Sequence, residues 1–248
     1  MPITCDVKTP ITSFAKNNVG GPDLIFGSLS RGVCFAVAFI GLSLFVDLAS
    51  GSEQIASATP STALSKLVEG NKRFVTGTPN RASLTAQQWT DLAKGQHPFA
   101  IVLACADSRL SPEIIFDQGL GDLFVIRNAG NLLDDHVIGS IEYAVEHLHV
   151  SLIVVLGHTK CGAVTAAVAG GEAPGHLKSI VESLSSAVAM AKQKPGDPVD
   201  NAVRINAKLE ANTLTQTEPI VAESVKTGKV TVVAARYDIA TGAVEFLK

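Results

Sequence analysis

The 248 residues carry 20 Lys and Arg against 23 Asp and Glu, a formal net charge of −3, so there is no basic footprint of the kind a nucleic-acid partner requires. With 46% hydrophobic and 17% charged residues the composition excludes a disordered or fibrous chain. The length accommodates one α/β domain plus a shorter extra segment.

From Val33 to Val46 the chain reads VCFAVAFIGLSLFV without a charge, and Asp47 ends the run. A membrane-spanning helix needs about 20 apolar residues, whereas the apolar region of a secretory signal needs about 7–15. Arg31 stands just before the run, and Ala56-Ser-Ala58 offers the small-x-small pattern of a cleavage site. Residues 1–58 are therefore expected to form a signal peptide or N-terminal extension, and residues 59–248 the functional domain. The expected location is exported, periplasmic or extracytoplasmic, with no stable membrane span after processing. The stretch ahead of the run exceeds thirty residues and carries acids, which leaves open an uncleaved anchor, an overextended gene start or a buried helix. Those alternatives correspond to a membrane-anchored or cytoplasmic protein. Cleavage would remove Cys5 and Cys34 and leave Cys105 and Cys161.

Thr59-Pro60 predicts a helix start, Thr as N-cap and Pro in the first turn. Leu64, Leu67, Val68 and Phe74 recur at helical spacing, and Gly77 closes the segment. Ser83 to Lys94 reads as a second short helix around Trp89. Three apolar runs, Phe99–Ala104, Leu123–Ile126 and Leu152–Leu156, read as parallel strands covered on both faces, because they are uniformly apolar and not alternating. Asp135–His147 is helical in pattern, and a small-residue helix runs from Cys161 to Ala169 before Gly170-Gly171. Two or three helices occupy Leu177–Lys226. Val230–Ala235 is a fourth strand, and the Asp238–Gly242 turn returns the chain as Val244–Leu247. The expected fold class is α/β: a mainly parallel sheet flanked by helices, with a C-terminal antiparallel edge hairpin.

The chemistry concentrates in Cys105-Ala-Asp107-Ser-Arg109 and, about fifty residues on, His158-Thr-Lys-Cys161. Two thiolates and an imidazole are a tetrahedral Zn²⁺ donor set, and three strong ligands leave the fourth position open, as catalytic zinc requires. Cys105 and His158 lie at the carboxyl ends of two strands, the edge where open α/β sheets build their sites. Cys161 falls at a helix N-terminus, which favours thiolate. Asp107 has two possible tasks: occupying the fourth zinc position, or pairing with Arg109 and leaving that position to water.

Both stretches resemble the signatures of the β-class carbonic anhydrases, Cys-x-Asp-x-Arg and His-x-x-Cys. Their surroundings resemble that family too: ACADSRLSPE, FDQGLGDLFVIRNAGN, GSIEYAV, VVLGHTKCGAV, EGNKRF and YDIATG. The resemblance covers roughly Leu64 to Leu247. It implies one Zn²⁺ per subunit on Cys105, His158 and Cys161, with Asp107 as a reversible fourth metal ligand. Asp107 and Arg109 would be the catalytic dyad orienting hydroxide generated at the zinc. Gln96, nine residues before Cys105, matches a substrate-orienting glutamine. Phe124 and Tyr143 match aromatic members of the substrate pocket, and Ala129 stands where a valine is frequent. The implied reaction is reversible hydration of CO₂ to bicarbonate and a proton, in a homodimer or higher homo-oligomer with sites near the subunit boundary. The helix Leu64–Phe74 would then be an interface element. Val102 and Ala104 depart from the Trp and Gly that accompany a noncatalytic bicarbonate site, so none is expected here. A CS₂ or COS hydrolase on the same fold and a non-catalytic, zinc-stabilised assembly subunit are the alternatives. His136 and His147 are conceivable proton shuttles, although surface histidines are the commoner reading.

Overall fold

A computed structural model describes residues 58–80 and 84–248, and the signal-like run Val33–Val46 lies outside the described residues. In chain order the elements are α1 (Pro60–Val75), α2 (Ala86–Leu92), β1 (Ala100–Cys105), α3 (Pro112–Ile115), β2 (Leu123–Asn128), α4 (Asp135–His147) and β3 (Leu152–His158). They continue with α5 (Gly162–Ala169), α6 (Leu177–Ser183), α7 (Ser185–Ala191), α8 (Pro198–Thr215), α9 (Ile220–Lys226), β4 (Thr231–Tyr237) and β5 (Val244–Leu247). Among the described residues no helix is long and apolar enough to cross a membrane.

The strands form one sheet in the order β2-β1-β3-β4-β5, parallel except for the antiparallel β4–β5 pair. This is the expected α/β architecture with its edge hairpin. From β1 the chain moves to one side to make β2, then crosses back to place β3 on the other side of β1. The connections therefore diverge beyond the carboxyl ends of β1 and β3, and a crevice opens there.

Every residue of β1 and β3 is buried. Alternate side chains serve opposite faces: Ile101, Leu103, Ile153 and Val155 join the cluster that includes Ile141 and Val145 of α4, Leu214 of α8 and Val221 of α9. Val102, Ala104, Val154 and Leu156 instead join Leu67 of α1 and Ile115 of α3. Burying each such aliphatic side chain is worth about 1.5–3 kcal/mol, which is why these two strands read as unbroken apolar runs. The strand β2 corrects that expectation. Only Leu123 is buried, because β2 is the sheet edge and its remaining side chains are half-covered or exposed.

The stretch EGNKRF docks α1. A β-carbon on Gly70 would stand 1.7 Å from the Phe116 carbonyl oxygen, so only glycine lets the helix approach the α3 turn. Asn71, buried beside it, donates from Nδ2 to Ile115 O (3.1 Å) and Gly242 O (2.9 Å), while its Oδ1 accepts from Val244 N–H (2.9 Å). Arg73 pairs with the buried Asp117. Thr59 caps α1 and Pro60 occupies its first turn, as expected. Between Leu177 and Lys226 four helices stand instead of two or three. Leu184 separates α6 from α7 with barely a break, and Asp197-Pro198 and Pro219 start the other two.

Candidate metal centre

β1 ends on Cys105 and β3 on His158; with Ala104 paired to Leu156, His158 stands one residue beyond the level of Cys105, at the same carboxyl edge of the sheet. Cys161 is the N-cap of α5, three residues past the end of β3. The loop between is anchored by Thr159, whose N–H donates to Tyr237 O (2.9 Å) and whose Oγ1 accepts from Ile239 N–H (3.0 Å). The donor atoms of Cys105, His158 and Cys161 lie within 4.8 Å of one another, and all three residues are buried.

This donor set fits zinc. The two sulfurs are 3.9 Å apart, close to the separation of about 3.8 Å that tetrahedral bonds of ~2.3 Å impose. His158 Nδ1 lies 2.9 Å from the Thr159 carbonyl, which can only accept, so Nδ1 carries the proton and Nε2 keeps its lone pair. That Nε2 is fully buried without a hydrogen-bond partner, an orphan a metal would satisfy.

The electrostatics point the same way. The hydrogen bond it shares with Cys161 and the N–H donated by Gly130 pull the Cys105 thiol well below its usual range, against the cost of burial. The same hydrogen bond, then burial and the charge on Cys105, push the Cys161 thiol up against the pull of the Val164 and Ala163 N–H groups. One thiolate forms readily and opposes the second; a divalent cation between them removes the opposition. The thiols sit among Leu132, Val164, Leu184 and Val203, so little solvent screens the pair.

Asp107 and Arg109 meet as the sequence suggests. Arg109 donates from Nη2 to Oδ2 (2.7 Å) and from Nε to Oδ1 (2.9 Å), and its backbone N–H adds a third bond to Oδ1 (2.9 Å). The guanidinium holds the Asp107 carboxyl far below the ordinary carboxylate range. Asp107 Oδ2 is 4.0 Å from His158 Nε2, so the carboxylate borders the centre while Arg109 grips it.

Several neighbours carry no mark in a ligand pattern. Arg127 donates from Nε to Cys105 O (3.0 Å) and from Nη2 to Asp107 O (2.7 Å), bracing the first signature's backbone. Gly130 N–H donates to Cys105 Sγ at 3.4 Å. Asn128 closes the loop that carries it, with Oδ1 accepting from Leu132 N–H and Nδ2 donating to Leu132 O, each at 2.8 Å. Asn206 of α8 donates to Gly130 O at 3.0 Å. The quoted run IRNAGN contains three of these four residues, and its Gly-Asn pair is the signal of a turn.

Beside the centre lies a mainly apolar cavity of about 430 Å³, whose walls include Ala129, Gly162, Ala163, Ala166 and Ile180. Phe124 and Tyr143 are not part of it. Their rings are 6.3 Å apart, but Phe124 pairs with Ile101, four residues and roughly 13 Å below the level of Cys105 and Asn128. Gln96 is exposed and precedes the start of β1, again at the opposite end from Cys105. Within one chain these three residues do not reach the metal ligands. His136 and His147 are both exposed on α4.

The sequence profile of the carbonic anhydrase family matches residues 100–244. Carbonic anhydrase 2 of Mycobacterium tuberculosis is 40% identical over 190 residues, 75% of this chain and 92% of the relative. Among solved structures, the β-carbonic anhydrase CafA of the fungal pathogen Aspergillus fumigatus is similar at 30% identity and a TM-score of 0.61, covering 76% of this chain and 90% of that one. One of two tetrameric β-carbonic anhydrases from Sordaria macrospora is similar at 28% identity and a TM-score of 0.60, covering 64% of this chain and 85% of that one.

Proposed function

This chain belongs to the β class of the carbonic anhydrase family, a zinc-dependent carbonate dehydratase that interconverts CO₂ and bicarbonate, and on that premise we propose the tasks its residues perform. The observation that carries the reading is the buried Cys105–His158–Cys161 donor set with a fixed carboxylate at its edge. These three residues would hold the zinc. Bound there, it would act as a Lewis acid that makes hydroxide available from water near neutral pH.

Asp107 is held ionised by Arg109, so it can only accept a hydrogen bond. A water or hydroxide in the site must therefore point a proton at Asp107, which turns an oxygen lone pair toward the substrate. Arg109 is itself steered by Lys160 O, 3.4 Å from Nη2, so carboxylate and guanidinium move as one body. The apolar walls at Ala129, Gly162 and Ala163 suit CO₂, which offers no hydrogen-bond donor and is easily displaced by water from polar ground. Carbon accepts the hydroxide oxygen, one C=O π bond becomes a C–O⁻, bicarbonate departs, and the proton released from water passes to solvent.

The assembly is a homodimer or a multiple of it, with Gln96, Phe124 and Tyr143 of one subunit completing the site of the next. What supports this is their placement at the far end of the β1–β2 pair, with Tyr143 exposed over nearly half its surface. Export is the proposed fate of the chain, supported by the uncharged run after Arg31 and by Ala56-Ser-Ala58. N-terminal sequencing of the native protein decides it: a start near Thr59 supports export, and an intact Met1 overturns it.

The activity is tested by stopped-flow CO₂ hydration with the zinc-loaded protein beside Asp107→Ala. Rapid turnover abolished by the substitution is the expected result. A zinc-bound, folded and inactive parent would overturn the reading.

A further inference from the structure

We propose that Asn206 is a positioning residue for the metal centre: from α8 it ties down the Gly130 loop and so fixes the backbone N–H that donates to the Cys105 sulfur. The inference rests on the zinc reading above and adds a residue that no ligand pattern contains.

The loop after β2 is an expensive conformation. Gly130 takes φ +83° as glycine can, but Asn131 (φ +47°) is a left-handed non-glycine residue, and such backbone persists only where the surroundings over-determine it. On one side Asn128 supplies two bonds to Leu132. The Asn131 N–H also donates to Asn128 O across the turn (3.2 Å), so these bonds hold the loop from the β2 side. The apex is Gly130, and the second anchor is Asn206 Nδ2, 3.0 Å from the Gly130 carbonyl oxygen. With both anchors set, the Gly130 N–H stands 3.4 Å from Cys105 Sγ.

Asn206 has no packing reason to be polar. It is 2% exposed, and its neighbours on α8 toward the core are Ala202, Val203, Ile205 and Ala207. A primary amide in such surroundings is costly to bury unless it is hydrogen-bonded, and an alanine or valine would fill a helix-core position at no such cost. Its bond is spent on a loop 76 residues away in sequence whose next contact is a metal-ligand sulfur. An N–H donated to a thiolate draws charge from the sulfur and fixes its direction, which is how residues behind the ligands tune a metal site.

The experiment uses the full chain loaded with Co²⁺, whose thiolate charge-transfer absorption reports the Cys–metal bond directly. Asn206→Leu keeps the branched outline in a larger side chain and removes the donor, and Asn206→Asp keeps the shape and replaces the donor with an acceptor. Leu214→Ala, about two turns further along the same helix in the cluster between α8 and the sheet, is the control for lost packing. For each, the absorption band and the Co²⁺ affinity by chelator competition are measured below the unfolding temperature. Asn206→Leu is expected to move the band and weaken Co²⁺ binding about tenfold or more, with Asn206→Asp changing in the same sense. Leu214→Ala is expected to unfold earlier with band and affinity unchanged. If either Asn206 variant folds and keeps the parent band and affinity, or if Leu214→Ala shifts them equally, Asn206 is a packing residue and the assignment is overturned. A parent protein without a cobalt–thiolate band overturns the zinc reading itself, and this assignment with it.

Discussion

Arg109 holds Asp107 through two parallel hydrogen bonds, Nη2 to Oδ2 at 2.7 Å and Nε to Oδ1 at 2.9 Å, in the fork geometry that only a guanidinium offers a carboxylate. Two residues apart in sequence, they form one rigid acceptor at the rim of the metal centre. If they act as a unit, their substitutions cannot add. Asp107→Ala and Arg109→Ala should each lower kcat by about 10²-fold or more, with zinc content retained. The double variant should be no worse than the poorer single variant. Independent, additive losses in stopped-flow assays would show that the pair is not a unit.

Zinc should also hold the fold. A ligand bound only by the native state, present at about 100 times its dissociation constant, adds roughly 2.7 kcal/mol. For a chain of this size, chelator treatment should then lower Tm by about 5–10 °C, and added Zn²⁺ should restore it. Cys105→Ser should show the lower Tm with no response to chelator. An unchanged Tm on demetallation would contradict this.

Glu210, on α8, is half-buried, and burial pushes its carboxyl up to about 7 despite an opposing contribution from the Leu133 backbone N–H. In the unfolded chain it titrates near the ordinary glutamate value of ~4.3. Between those values the folded protein keeps a proton that the unfolded chain has lost, so stability falls as pH rises through the window. Glu210→Gln should flatten that slope and stabilise the protein at pH 8 by about 1–2 kcal/mol, a figure discounted for the group's partial exposure. Urea midpoints at pH 5 and pH 8 for parent and variant measure it; an equal slope in both would exclude Glu210 as its source.

Gly70→Ala places a methyl group 1.7 Å from the Phe116 carbonyl oxygen, a backbone atom with no freedom to turn aside. The helix must lift, at a cost of about 3 kcal/mol or more. The measurable consequence is a lower denaturant midpoint at unchanged m-value. A variant as stable as the parent would mean that α1 docks differently.

The apolar runs of β1 and β3 were legible because both strands are covered on two faces, and hydrophobicity alone marks such strands. The same signal stops short where chemistry begins. The expected strand at Leu123–Ile126 continues through Arg127 and Asn128, and that at Leu152–Leu156 continues to His158. These polar extensions are held by register with neighbouring strands, a relation between distant segments that no local pattern encodes. Cys105, Asp107, Arg109, His158 and Cys161 were found because ligand chemistry restricts the residue types that can serve. Arg127 and Asn206 were not, since each acts through a backbone atom and would look the same in sequence as a surface arginine or a helix asparagine. The placement of Gln96, Phe124 and Tyr143 away from the ligands was equally hidden, because the resemblance gave residues a role without saying which subunit they serve.

The edge position of β2 gives that strand two clients. Its carboxyl end, through Asn128 and the Gly130 loop, supports the metal centre of its own chain. Its amino end carries Phe124, which in the proposed assembly faces the centre of a neighbour. In that proposed assembly six residues of extended backbone would set the spacing between two active sites, like a bar of fixed length joining two bearings. Lengthening β2 by one residue would reverse every side chain beyond the insertion and put one of the two sites out of alignment.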